Sequence, residues 1–204
     1  MSYCDWFQQT ERDKIYYEEW GTPLHDDKMQ FEYLSLEVMQ CGLSFSLVFE
    51  RRKILRNCLD DFDYDKVASH QEEDIQRILS TPLMIHSDKK IRAIVSNAKA
   101  FQKIREEYGT FSSYLWGYSD NKTILYEGHE TGDIPASNAL SKKISKDLKK
   151  RGFLFLGPTV ISSHLQACGI NNDHGEDCPR RQYIIDHYPC IKKKRYGEKG
   201  RNQS

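Results

Sequence analysis

Residues 148–169 read LKKRGFLFLGPTVISSHLQACG, two helical stretches joined by a short apolar turn. Gly152 can take positive φ at the end of the first helix, and Gly157 lets another backbone come close. Pro158 suits the first turn of the second helix, where its missing N–H is no loss. Amides near Gly157 and Thr159 then point outward from a positive helix N-terminus, which suits a phosphate. Taken alone, the segment reads equally well as a helix hairpin that only packs. The preceding helix tips the balance, because residues 142–151 (KKISKDLKKR) set six basic side chains against Asp147. Sequence-independent binding of nucleic acid is built from phosphate contacts of this kind. Lys149, Arg151, Gly152, Gly157 and Thr159 are therefore the candidate nucleic-acid contacts.

The rest of the pattern is helical almost throughout. From Asp26 to Arg51 apolar residues recur at spacings of three and four, with Gly42 expected to break the run into two helices. Ser69 and Glu72 have the spacing of a capping box, and the helix they open stops before Pro82. Ser87 can cap a helix whose face holds Ile91, Ile94, Val95, Ala98, Phe101 and Ile104, with Gly109 just past its end. Residues 111–118 (FSSYLWGY) predict a short aromatic helix, and 119–135 a long polar loop. A basic helix is expected from Ser137 to Arg151, and another from Thr159 to Cys168. No stretch is rich in strand formers, so the expected class is all-α: one domain over 1–191 and a basic, disordered tail over 192–204.

At 204 residues the chain can bury a sizeable core. Thirty basic and thirty acidic side chains cancel, so no global field draws nucleic acid; attraction must come from local runs. The second such run lies in 180–201, with eight basic residues against Asp186 and Glu198. No window approaches eighteen apolar residues, and MSYCDWFQQTERDK lacks a basic stretch followed by an apolar core. A cytoplasmic protein with no membrane span is expected. Its six cysteines then read as thiols or metal ligands rather than disulfides. Cys41, Cys58 and Cys168 sit among apolar residues, whereas Cys4, Cys178 and Cys190 have polar surroundings and are the ones to test for metal.

In LEVMQCGLSF (36–45) one residue stands out. Glu37 is a turn from Leu34 and a turn from Cys41, so it falls inside an apolar stripe, with Gln40 near it. Residue by residue, the simplest account is a buried acid paired with an arginine or with backbone amides. The other is a carboxylate lining a pocket for a cation, whose attraction a low effective dielectric strengthens.

LEVMQCGLSF, the EEWG of 18–21, LSKKISKDLKKRGFLFLGPT (140–159) and QACGINNDH (166–174), in that order, resemble the DNA-3-methyladenine glycosylase I family. The resemblance runs from Cys4 to about Cys178. It implies a helix-hairpin-helix, DNA glycosylase-like helical fold and a monofunctional enzyme of base-excision repair. Such an enzyme extrudes 3-methyladenine from alkylated duplex DNA and hydrolyses its N-glycosidic bond, leaving an abasic site, with no lyase step. The base is already cationic, so leaving-group activation is a smaller problem than selectivity. The resemblance gives Glu37 the role of holding the extruded base, and Gly42 and Leu43 that of filling the gap in the duplex, where an apolar wedge replaces a lost stacking partner. Candidate base-stacking or base-contacting residues are Trp6, Tyr16, Tyr17, Trp20, Gln40 and Phe45. The partner implied is double-stranded alkylated DNA, bound by a monomer.

Two departures from the family pattern stand out. Phe45 replaces the usual Trp, a smaller stacking face. The family's structural zinc is held by two Cys and two His; Cys4, His174 and Cys178 match three of these, but KIYYEEWG (14–21) lacks the fourth, a His. Zinc is thus a candidate structural ion with one ligand missing, and no organic cofactor is expected. Asp173 lies where many related enzymes carry a catalytic Asp, but the resemblance gives it no such role. The alternative, from a different class, is a non-catalytic binder of alkylated DNA that kept the fold.

Overall fold

The computed structural model describes residues 18–194. Among them are ten α-helices and two short strands. Helix α1 (Asp27–Gln40) starts where the Asp26 carboxylate accepts from Met29 N at 2.8 Å. It stops at Cys41, and Gly42 at φ +74° turns the chain. Ser44 then caps α2 (Phe45–Glu50), followed by α3 (Arg52–Cys58), α4 (Tyr64–Ser69) and α5 (Glu72–Ser80). Helix α6 (Asp88–Tyr108) is the longest and ends at Gly109, φ +82°. Helix α7 (Phe111–Gly117) is capped by Thr110. Helices α8 (Ala139–Lys150), α9 (Pro158–Ala167) and α10 (Pro179–His187) complete the set.

The core forms where α1 and α4 pack on α6, with α9 also packed against α1. The face expected of α6 is the buried one: Ile91, Ile94, Ala98, Phe101 and Ile104 are wholly enclosed. Phe101 stacks on Phe111 at 4.2 Å between ring centres and meets Phe31 edge-on at 5.5 Å, so aromatic side chains join α1, α6 and α7. Among the described residues no helix is long and apolar enough to cross a membrane.

Three local expectations fail. The box expected between Ser69 and Glu72 lies two residues on, where the Asp74 carboxylate accepts from Gln71 N at 3.0 Å. Ser69 instead closes α4, its hydroxyl donating to Lys66 O at 2.6 Å. The loop expected over 119–135 contains β1 (Thr123–Tyr126), all four residues buried. Strand β1 pairs in parallel with β2 (Cys190–Lys193), Thr123 opposite Cys190. So Lys192 and Lys193 belong to a strand, not to the expected tail, of which residues 195–204 lie outside the described residues.

Candidate functional site

The last turns of α1, with α2 and the start of α3, wall a pocket. Its lining includes Glu37, Gln40, Phe45, Phe49 and Arg52, with Glu19, Tyr33, Leu36, Val48 and Ala167. The empty space within it, open mouth included, is ≈ 430 Å³. Helical spacing explains the set: Glu37 and Gln40 lie one turn apart on α1, and Phe45, Phe49 and Arg52 follow on the next two helices at intervals of four and three. The Phe45 and Phe49 rings sit 5.5 Å apart.

Glu37 has a carboxyl group that no described residue bonds, and burial pushes its pKa up from 4.5 to about 8. The arginine that might have neutralised it, Arg52, is held elsewhere. Its Nη1 donates to Glu19 Oε2 at 2.7 Å and its Nε to Glu32 Oε1 at 2.7 Å. Arg56 adds two further bonds to Glu32, at 2.7 and 2.8 Å. Burial alone would raise the Glu32 carboxyl, but hydrogen bonds from Arg56 and Arg52 outweigh it and hold the group below its ordinary range. Arg52 in the pocket wall is thus ion-paired, whereas no described residue bonds Glu37.

Of the candidate base contacts, the fold brings Glu37, Gln40 and Phe45 together. Trp20 is not among them. Its ring stands edge-on to His174 at 4.8 Å, packing the region where the chain passes Asn172–Cys178. Trp6, Tyr16 and Tyr17 lie outside the described residues. Sequence reading missed Glu19, Tyr33, Phe49 and Arg52. Phe49 repeats the Phe45 spacing and Glu19 sits in EEWG, but no local pattern tells a pocket wall from core.

Gly42 is exposed, and Leu43, the residue after it, is 36% exposed. Across from them the turn between α8 and α9 exposes Lys149, Gly152, Gly157 and Thr159. Gly152 has φ +92°, as its helix-ending role requires, while Gly157 has φ −68° and sits as N-cap of α9 with Pro158 after it. Arg151 is a correction. Its guanidinium bonds Glu107 at 2.6 Å and Asp147 at 2.8 Å and lies over the Tyr108 and Tyr114 rings, so it ties α8 to α6 and α7 rather than facing outward.

His174 and Cys178 are both buried, with Cys178 Sγ 3.6 Å from His174 Nδ1. A tetrahedral zinc with ordinary Zn–S and Zn–N bonds puts two such ligand atoms about 3.5 Å apart. A Cβ at Gly21 would fall 2.6 Å from His174 Nε2, so only glycine leaves room for the ring there. Among the described residues no third His, Cys, Asp or Glu joins the pair, and Cys4 lies outside them. The Asp173 carboxylate meets His129 Nδ1 at 2.6 Å and accepts from Gln166 at 2.8 Å.

The strain at Glu37 has a sign. Between pH 4.5 and about 8 the unfolded chain has lost the proton that the folded chain keeps, so folding stability falls as pH rises through that window. Glu37→Gln removes this and should stabilise the protein by on the order of 2 kcal/mol at pH 7, and by little at pH 4.5. Urea unfolding at both pH values measures the difference; an equal or opposite effect at pH 7 would mean that the carboxyl is solvated or paired.

The sequence model described as "Methyladenine glycosylase" matches residues 6–182. DNA-3-methyladenine glycosylase 1 of Escherichia coli K12 is 37% identical over 179 residues, 87% of this chain and 96% of the relative. The corresponding glycosylase of Haemophilus influenzae is 34% identical over 177 residues, 86% of this chain and 96% of that one. A solved structure of 3-methyladenine DNA glycosylase I from Staphylococcus aureus, determined for recognition of 3-methyladenine, superposes with TM-score 0.82 at 35% identity, covering 89% of this chain and 97% of that one. Sequence and fold agree with these relatives along nearly their whole length. The chain belongs to the methyladenine glycosylase family.

Proposed function

We propose that the protein is a monofunctional DNA-3-methyladenine glycosylase, and that the half-buried carboxyl of Glu37 recognises the extruded base. The observation that carries this is an acid that no described residue pairs, in a pocket walled by Phe45 and Phe49. Methylation at N3 makes adenine a cation, and a cation entering beside Glu37 supplies the missing charge. Ordinary adenine brings none. The difference is large because the walls exclude water and lower the effective dielectric. Phe45 and Phe49 offer flat faces to the base, and Gln40 a polar edge. Hydrolysis then needs a water on the sugar; among the described residues Asp173 is too engaged with His129 and Gln166 to activate one.

Leu43 fits the wedge and the helix-hairpin-helix turn the phosphate grip, with exposed Lys149 and the amides at Gly157 and Thr159 as its contacts. Double-stranded alkylated DNA is the partner so recognised. The protein acts as a monomer, in the cytoplasm. A structural zinc fits the His174–Cys178 pair, with Cys4 as third ligand; the ion would tie the N-terminal segment to residues 174–178 and stabilise the fold without entering the chemistry.

Incubation with methylated duplex DNA should release free 3-methyladenine, detected by chromatography, and Glu37→Gln should lower kcat/KM about 100-fold. For the parent protein kcat/KM should climb with pH and level off near 8 as Glu37 ionises, a limb that Glu37→Gln lacks. Binding to methylated DNA with no base released would favour the non-catalytic binder.

Lys149→Ala should weaken duplex binding several-fold and reduce the slope of log K against log salt by about one. Arg151→Ala should leave that slope alone and lower thermal stability instead. The reverse assignment would move the grip away from this turn.

Elemental analysis of purified protein should find about one zinc per chain. Chelation should lower Tm and leave kcat at low temperature unchanged. Metal-free protein of equal stability would remove zinc from the account.

A further inference from the structure

Two buried polar side chains on one face of α6 are not explained by packing. Lys90 is 9% exposed, and its ammonium donates to Met39 O at 2.8 Å and to Cys41 O at 2.5 Å. These carbonyls close α1, where the chain leaves Glu37 and Gln40 and turns through Gly42 to Leu43. A cation there also meets the negative end of the helix dipole. Asn97 is 4% exposed and grips both main-chain groups of Leu154: Nδ2 donates to Leu154 O at 3.1 Å, and Oδ1 accepts from Leu154 N at 2.8 Å.

Leu154 lies in the turn between α8 and α9. Next to it Phe155 has φ +62°, a strained conformation for a bulky residue. Beyond that, Leu156 O accepts from the buried Ser145 hydroxyl at 2.7 Å. The strained residue is therefore held between two side-chain clamps. The two loops also touch directly, Cys41 Sγ lying 3.9 Å from Phe155 O. Leu43, Leu154 and Phe155 are among the exposed large apolar residues.

Lys90 and Asn97 are seven residues apart, two turns of one helix and about 10.5 Å along its axis. One clamps the loop that carries the wedge, the other the loop that carries the phosphate grip. We propose that Lys90 and Asn97 are positioning residues that use α6 as a rigid gauge, fixing the distance between the wedge and pocket on one side and the phosphate grip on the other. The inference rests on the glycosylase reading for its chemistry, but the spacing itself can be tested on DNA without any base excision. Neither side chain touches the base or the phosphates. Each loop retains its own contacts when its clamp is removed; what is lost is their register, and a misplacement of about 1 Å costs roughly 100-fold in rate.

The test uses Lys90→Met, Asn97→Ala, the double variant, and Lys90→Arg as the conservative replacement, all assayed at a temperature where circular dichroism shows them folded. On methylated duplex each single variant should lose about 100-fold in kcat with KM within about threefold, and binding of free 3-methyladenine should stay within about threefold. The double variant should be little worse than either single one, because register once lost is not lost twice; Lys90→Arg should recover part of kcat. Independent side chains this far apart would give additive losses instead, which would overturn the proposal. In parallel, affinity for a duplex with an abasic-site analogue is compared with affinity for undamaged duplex. The parent protein should prefer the former at least tenfold, and the variants should lose that preference. If the parent excises nothing yet shows this pattern, the enzymatic reading fails and the gauge stands. If the parent excises and the variants keep the preference, the gauge fails alone.

Discussion

A partly buried carboxyl group that no described residue bonds is kept protonated above its ordinary range, and the arrangement around Glu37 does this. Arg52 stands in the same pocket wall but is ion-paired with Glu19 and Glu32 through Nη1 and Nε, while its buried Nη2 has no partner among the described residues, and Glu32 is shared with Arg56. The cost of burying Glu37 is carried as folding stability, which the aromatic core between α1, α6 and α7 must offset.

The helices then act as a frame for two loops. Helix α1 ends beside the pocket, and its C-terminus passes into the Gly42–Leu43 turn. Helices α8 and α9 meet in the second turn, and the buried face of α6 runs under both. Local charge was a poor guide to which side chains face outward here. Lys149 and Arg151 are two residues apart in the same basic run, yet one is exposed and the other bridges Glu107 and Asp147. Helical rotation puts them on different faces, and carboxylates are within reach of only one.

Much of the fold was legible because its signals are local. Periodicity and stop signals gave the long helix ending at Gly109, the break at Gly42 and the hairpin around Pro158. The strand pair was not legible. Thr123–Tyr126 is four residues long, and its partner lies more than sixty residues away, so neither strand has a pattern of its own. In the site, Glu37 announced itself as an acid in an apolar stripe and the family resemblance supplied a role for it. Arg52, Glu19 and Phe49 did not, because their function comes from which neighbours the tertiary fold gives them. Trp20 misled for the same reason: an aromatic residue beside a motif can face either side, and this one faces His174.

The role proposed for Glu37 is that of a protonated carboxyl, with no counter-charge among the described residues, that a cation discharges. Labelling the glutamate side chains with ¹³C and following the Glu37 carboxyl by NMR through a pH titration tests it directly. A midpoint near 8 in the free protein, falling well below neutral when a positively charged N-alkylated purine is added, is the result predicted. A midpoint near 4.5 that the purine does not move would contradict it.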